Sequence, residues 1–167
     1  MNEEKAVFRA RYASPLGGMV LEATGTQLVG VRFAERAPEG DFCAQTPLLK
    51  ATAAWLDAYF AGRRPAASAL PLAPAGTPFA RRVWALVRQI PYGRTTTYGA
   101  LAAAVAQEMG RPTMSAQAVG GAVGRNPIVI LVPCHRVVGT GGALVGYADG
   151  LERKRWLLAL ERGENAF

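Results

Sequence analysis

Apolar residues alternate with polar ones through the opening third of the chain and settle into helical spacing after it. Residues 6–13 and 18–24 read as strands separated by the turn-forming stretch Ser14-Pro15-Leu16-Gly17. After Gly25-Thr26, residues 27–33 place Leu28, Val29, Val31 and Phe33 at strand-like spacing. The three segments predict an antiparallel meander, followed by a loop at 38–41. Thr46-Pro47 then combines an N-cap with a proline at the first helical position, and Leu48, Trp55, Leu56, Tyr59 and Phe60 continue at helical spacing until Gly62. Residues 63–76 hold Pro65, Pro71 and Pro74 and read as a linker between two halves.

Thr77-Pro78 repeats the helix-start device, and Phe79, Val83, Leu86, Val87 and Ile90 form one apolar stripe up to Pro91. Gly93 closes that unit. Thr97 can cap a helix running to Met109, and a short helix is expected over 114–123, closed by Gly124 and Asn126-Pro127. A last helix starts with Asp149-Gly150-Leu151-Glu152, a variant of the capping box, and runs through Trp156, Leu157 and Leu160. Two short helices joined by a few residues after a longer one give the outline of a helix-turn-helix. The second short helix reads Ser115-Ala116-Gln117-Ala118-Val119-Gly120-Gly121-Ala122, almost without long side chains. Interior glycines cost about 1 kcal/mol each relative to alanine. Their offset is a close approach, either to a neighbouring helix or to a nucleic-acid backbone. Gln117 is its one base-reading side chain, so binding with little sequence preference is expected.

At 167 residues the chain is one ordinary domain or two small ones. Half of it is hydrophobic and 19% is charged, a globular composition. No apolar run reaches the ~18 residues of a membrane-spanning helix. The start, Met1-Asn2-Glu3-Glu4-Lys5, lacks the apolar core of a secretory signal, so a cytoplasmic, reducing compartment is expected. The net charge of +7 is uneven. Residues 1–75 carry eight Lys/Arg against seven Asp/Glu, and residues 76–167 carry eleven against five. Sixteen of the nineteen basic side chains are Arg, suited to bidentate phosphate contacts. A polyanion facing the second half explains the excess, and a genomic codon bias toward Arg and Ala explains it equally well.

Cys43, Cys134 and the lone histidine, His135, are too few to assemble a four-ligand zinc site, and no metal or cofactor is expected. A structural disulfide does not suit a reducing compartment. The informative segment is Asn126-Pro127-Ile128-Val129-Ile130-Leu131-Val132-Pro133-Cys134-His135-Arg136-Val137-Val138-Gly139. Its five-residue apolar run reads as a buried strand or extended segment that delivers Cys134 and His135 at its end. A buried inert cysteine is the bland alternative. A thiol attacks as thiolate, and the adjoining His135 and Arg136 are the groups that activate one. In a strand the two neighbours point to opposite faces, so a bridging water or a turn at Pro133 has to link them.

Pro-Cys-His-Arg-Val-Val after Asn-Pro and an apolar run is similar to the signature of the O6-alkylguanine-DNA alkyltransferases, the methylated-DNA–protein-cysteine methyltransferases. Supporting matches are Thr97-Tyr98, Ala118-Val119-Gly120-Gly121-Ala122, Gly146-Tyr147, Trp156-Leu157-Leu158 and Glu161, and together they cover about residues 77–163. The resemblance implies an α+β chain: an N-terminal ribonuclease-H-like α/β roll over 1–75, then a helical winged-helix-like domain with a helix-turn-helix over 76–167. It implies repair of double-stranded DNA by direct reversal, as a monomer, with the damaged guanine flipped out through the minor groove. Cys134 would accept the alkyl group in a single turnover. His135 would act as base through a water, Glu161 would orient His135, Tyr98 would give a proton to the departing guanine, and Asn126 would brace the turn. DNA contacts are implied at Thr97, Gly99, Gln117, Ala118, Arg125, Arg136 and Thr140. The base pocket is implied at Tyr98, Val123, Cys134, Val137, Tyr147 and Ala148. O4-alkylthymine stays open as a second substrate.

The chain departs from the family pattern in three places. Gln117 stands where an intercalating Arg is common and brings no charge, which weakens DNA binding or flipping unless Arg125 and Arg111 compensate. The closing loop reads Gly146-Tyr147-Ala148-Asp149, with Ala148 in place of the Ser of human-type members and a bulky, acidic Asp149 that restricts large alkyl groups. The N-terminal zinc ligands of some members are absent. Two other classes fit parts of the pattern: a Cys–His hydrolase with multiple turnovers, and a non-catalytic helix-turn-helix regulator that tolerates loss of Cys134.

Overall fold

A computed structural model of the chain describes residues 6–164. Met1–Lys5, where no secretory signal was expected, lie outside the described residues. The chain divides into two compact units at Ala75/Gly76.

In the first unit β1 (Phe8–Ser14), β2 (Gly17–Ala23) and β3 (Leu28–Phe33) form an antiparallel sheet in the order β1-β2-β3. The first turn is tighter than the four-residue stretch predicted, because Ser14 pairs with Gly17 and leaves Pro15-Leu16 between them. The Ser14 hydroxyl donates to the Gly17 carbonyl at 2.6 Å and accepts from the Leu16 amide at 3.1 Å. Glu22 sits between Arg9 and Arg32, with an N–O distance of 2.9 Å to each. Helix α1 (Pro47–Phe60) starts as predicted, the Thr46 side chain accepting from the Leu49 amide at 3.2 Å ahead of Pro47. Trp55, Leu56 and Tyr59 are buried, whereas Leu49 and Thr52 take the core places expected for Leu48 and Phe60.

The stretch 63–76, read as a linker, is not a free tether. The Leu28 amide donates to the Pro71 carbonyl and the Ala73 amide to the Leu28 carbonyl, both at 2.8 Å. The Trp55 indole donates to the Ala66 carbonyl at 2.8 Å. Prolines break the periodicity of such a segment without keeping its remaining backbone groups from pairing.

The second unit holds α2 (Pro78–Val87), α3 (Tyr98–Glu108), α4 (Ala116–Gly124) and α5 (Leu151–Glu161). Two short strands, β4 (Thr96–Thr97) and β5 (Val137–Val138), pair in parallel. Thr77, Thr97 and Ser115 each cap a helix by accepting from the amide three residues on, at 3.1, 3.0 and 3.2 Å. The buried face of α2 is Ala80, Val83, Trp84 and Val87, not a stripe through Phe79 and Leu86. Trp84 decides this difference: its indole reaches across to donate to the Ala122 carbonyl in α4 at 2.9 Å. Fully burying an apolar side chain of this kind contributes about 1.5–3 kcal/mol. The expected capping box of α5 does not form, since Gly150 occupies the N-cap at φ 97° and brings no side chain. Among the described residues no helix is long and apolar enough to cross a membrane.

Candidate active site

Every residue from Asn126 to Val138 is buried. The apolar run at 128–132, read as a buried strand or extended segment, is buried but folds back on itself as a loop. The Val132 amide donates to the Ile128 carbonyl at 3.0 Å, the Leu131 amide to Val129 at 2.9 Å, and Ile130 adopts φ 73°. A β-branched residue with positive φ persists only where its surroundings impose it. Asn126 supplies that constraint. Its Nδ2 donates to the Val132 carbonyl at 2.8 Å, and its Oδ1 accepts from the Ile128 amide at 2.9 Å. One amide side chain thus closes the run into a loop and delivers Cys134 at the exit of α4.

Cys134, His135 and Arg136 form a single 3-10 turn after Pro133. The His135 Nε2 lies 2.5 Å from Glu161 Oε2 at the end of α5. Arg136 donates from Nε to Glu161 Oε1 at 2.7 Å and from Nη2 to Oε2 at 3.2 Å. Its third contact is from Nη1 to the Ile90 carbonyl at 2.7 Å, and its guanidinium lies 5.6 Å from the centre of the Tyr92 ring. The Gly93 amide adds a donor to Glu161 Oε1 at 3.3 Å. Gly93 itself is required there, with φ 77° and an added Cβ 3.1 Å from the Glu161 carbonyl.

An ionised carboxylate only accepts hydrogen bonds, so Glu161 fixes the proton of His135 on Nε2. His135 Nδ1 is then the acceptor, and among the described residues it has no hydrogen-bond partner. Burial lowers the His135 pKa from 6.5 despite the pull of Glu161, so the ring is neutral at neutral pH. Burial alone would raise the Glu161 pKa, but the contacts from His135 and Arg136 outweigh it and bring the carboxyl down to about 2. Cys134 is 3% exposed. Burial pushes its thiol up to about 12, with the Asn126 hydrogen bond and the Lys154 charge pulling it down and Asp149 raising it. The resting sulfur is a thiol and needs a base to ionise it.

Tyr98 opens α3, and its hydroxyl donates to the Val145 carbonyl at 3.3 Å. Burial and the nearby Cys134 raise its pKa, so it keeps its proton. Lys154 Nζ lies 5.7 Å from the Tyr98 ring centre and 6.0 Å from that of Tyr147. Val137 is buried beside the turn, Val123 is buried on α4, and Ala148 is exposed in the loop. On α4 the side chains of Val119, Ala122 and Val123 face inward, leaving Gln117, Ala118, Gly121 and Arg125 exposed with Gly99 and Thr140. No group of three His, Cys, Asp or Glu among the described residues is placed to hold a metal ion.

Known families match both units in succession. Residues 7–74 match the 6-O-methylguanine DNA methyltransferase, ribonuclease-like domain, and residues 78–163 match the 6-O-methylguanine DNA methyltransferase, DNA binding domain. The chain belongs to this methyltransferase family. A methylated-DNA–protein-cysteine methyltransferase of Haemophilus influenzae is 36% identical over 161 residues, covering 94% of this chain and 87% of that protein. One from Shigella flexneri is 52% identical over 103 residues, which span 62% of this chain and 57% of the relative's length. Among solved structures, Mycobacterium tuberculosis OGT in complex with DNA matches with TM-score 0.80 and 38% identity over 93% of each chain.

Cys134, His135, Glu161, Tyr98 and Asn126, whose roles the resemblance implied, all lie in the second unit. Arg136, readable from the sequence either as a DNA contact or as a structural brace, is 9% exposed with its guanidinium on Glu161 and Ile90, the arrangement of a brace. The Thr97 hydroxyl oxygen caps α3 by accepting from the Ala100 amide. Lys154 was missed altogether. The available signal was its position seven residues, two helical turns, before Glu161 on the same face of α5.

Proposed function

We propose that this chain repairs alkylated DNA by moving the alkyl group of O6-alkylguanine irreversibly onto Cys134, one group per molecule and as a monomer. The observation that carries the reading is the Glu161–His135 contact of 2.5 Å, built into the same buried turn as the thiol. The second unit, residues 76–167, holds both this turn and the helix pair that meets double-stranded DNA, with residues 1–75 as a separate α/β domain. Gln117, Ala118, Gly121 and Arg125 form the outer face of α4 that lies against DNA, and Gly99 and Thr140 extend it.

Once the damaged base is flipped in, a water passes the Cys134 proton to His135 Nδ1, and Glu161, itself fixed by Arg136, holds the resulting imidazolium in place. The sulfur lone pair attacks the alkyl carbon in line, a carbon–sulfur bond forms, and the bond from that carbon to O6 breaks. The electron pair leaves with the guanine, which takes a proton from Tyr98. The desolvated site favours this displacement because charge moves between fixed partners instead of through bulk water. The product is a thioether with no acidic proton and no ready leaving group, so nothing in the chain restores the thiol. Tyr98, Val123, Val137, Tyr147 and Ala148 form the walls for the base, with O4-alkylthymine a possible second guest for the same pocket.

Stoichiometry tests the reading. Fixed protein is titrated with duplex DNA containing O6-methylguanine, and repaired base is counted. Repair is expected to stop at one base per protein, with Cys134→Ser repairing none while still binding DNA. Repair continuing past equivalence would indicate a hydrolase-type turnover, and no repair with unaltered binding by Cys134→Ala would indicate a regulator.

A further inference from the structure

We propose that Lys154 is a positioning residue of the alkyl-acceptor site, a buried ammonium that fastens the loop 139–150 to the Cys134 turn. The proposal rests on the alkyl-transfer reading above and extends it to a residue that reading does not use. Lys154 is 0% exposed. Lysines are almost never fully buried unless paired. The partners here are two backbone carbonyls from different segments. Nζ donates to Val137, directly after the Cys134–Arg136 turn, at 2.6 Å, and to Gly146, within the loop, at 3.0 Å. The same ammonium faces the Tyr98 ring at 5.7 Å and the Tyr147 ring at 6.0 Å, both within cation–π range. Tyr98 in turn holds the neighbouring loop carbonyl, that of Val145.

Four segments therefore meet at one positive charge: α5, the strand after the active turn, the loop, and the start of α3. Helix α5 places Glu161 two turns further along, so one helix face orients His135 with a carboxylate and anchors the loop with an ammonium. A buried lysine that only filled space would lose little by becoming methionine. This one would leave two carbonyls unsatisfied in separate segments and release the loop. Its charge also lowers the cost of ionising the Cys134 thiol.

Burial brings the Lys154 pKa down to about 8, while the nearby Cys134 thiolate would raise it. The titratable groups around it are Cys134 and His135 on the turn, Tyr98 on α3, and Tyr147 and Asp149 on the loop. The fastening is strengthened by charge: deprotonation above pH about 8 removes the attraction to the Tyr98 and Tyr147 rings but leaves two N–H donors for the carbonyls, so the loop loosens without being released.

The test compares the full chain with Lys154→Arg and Lys154→Met. Three quantities are read against pH: protease cleavage within 139–150, corrected with a peptide of the same sequence; Cys134 alkylation by iodoacetamide; and single-turnover methyl transfer from DNA. In the natural chain, loop cleavage is expected to rise as the pH passes about 8. Lys154→Arg should keep the loop protected to higher pH. Lys154→Met should be cleaved throughout, transfer methyl at least about tenfold more slowly, and react more slowly with iodoacetamide at a given pH, with Lys154→Arg recovering most of the rate. A methionine variant with the natural rate and pH profile overturns the proposal. If that variant does not fold, identical pH dependence of loop cleavage in the natural and arginine proteins overturns it instead. A natural chain that takes no methyl from DNA defeats the alkyl-transfer reading, while the cleavage profiles still decide the role of Lys154.

Discussion

Glu161 collects donors from His135, Arg136 and Gly93 on one carboxylate that is 2% exposed. A carboxyl held near pKa 2 in the fold, against an ordinary 4.5, stabilises the native state in its ionised form. The contribution is complete above pH 4.5 and disappears as the pH falls toward 2. At 1.36 kcal/mol per pKa unit it amounts to about 3 kcal/mol. Glu161→Gln leaves Arg136 buried without its counter-charge and is predicted to cost about 3–5 kcal/mol at neutral pH. Denaturant unfolding of both proteins between pH about 6 and about 2 checks this. The natural protein should lose stability steeply in acid and the variant much less. Equal acid slopes would mean that Glu161 is not the group whose ionisation stabilises the fold.

At the scale of elements, two glycines of α4 have no reason in packing among the described residues, while Gly120 faces the Tyr98 ring. An added Cβ at Gly121 would meet only the Arg125 Nη1, at 3.3 Å, and one at Gly124 would meet nothing within 4 Å. Packing inside the described protein therefore does not require glycine at either position. Gly121→Ala is predicted to stabilise the free protein by about 0.5–1 kcal/mol through helix propensity. It should also weaken DNA binding, because its methyl group projects from the outer face beside Gln117 and Arg125. Melting curves and titration with fluorescent duplex measure the two effects, and a stabilised variant with unchanged affinity would remove this face from the DNA interface. Helices α1, α2 and α3 were legible because Thr46, Thr77 and Thr97 cap them by a local rule that sequence displays, whereas α4, expected from 114, starts at Ala116 behind the Ser115 cap. The 128–132 loop was not legible, since its shape is set by hydrogen bonds from Asn126 and a positive φ at Ile130, neither of which leaves a periodic trace. The α5 start misled for a related reason: Asp149 and Glu152 have the spacing of a cap, but Gly150 holds the cap position. Pairing among Cys134, His135 and Glu161 was legible through their resemblance to a known motif. The inward turn of Arg136 and the burial of Lys154 depend on tertiary contacts that charge alone disguises as surface.

For the molecule as a whole, the chain carries a net +7, and eleven of its nineteen basic residues lie within 76–167. Arg136 and Lys154 are buried, so the remaining cations of that half are the ones that can meet phosphate. Each neutralised phosphate contributes about −0.9 to the slope of log affinity against log salt. Binding to undamaged duplex should show a clear negative slope that barely changes with base sequence, as expected where Gln117 is the one base-reading side chain within Ala116–Gly124. A slope near zero would place the excess charge away from DNA. The proposed chemistry converges on one sulfur atom accepting one alkyl group. Intact mass followed by peptide mapping, after incubation with excess DNA containing O6-methylguanine, tests this most directly. One methyl group per molecule on Cys134, absent from Cys134→Ser, is the predicted result; repaired DNA beside an unmodified Cys134 would contradict it.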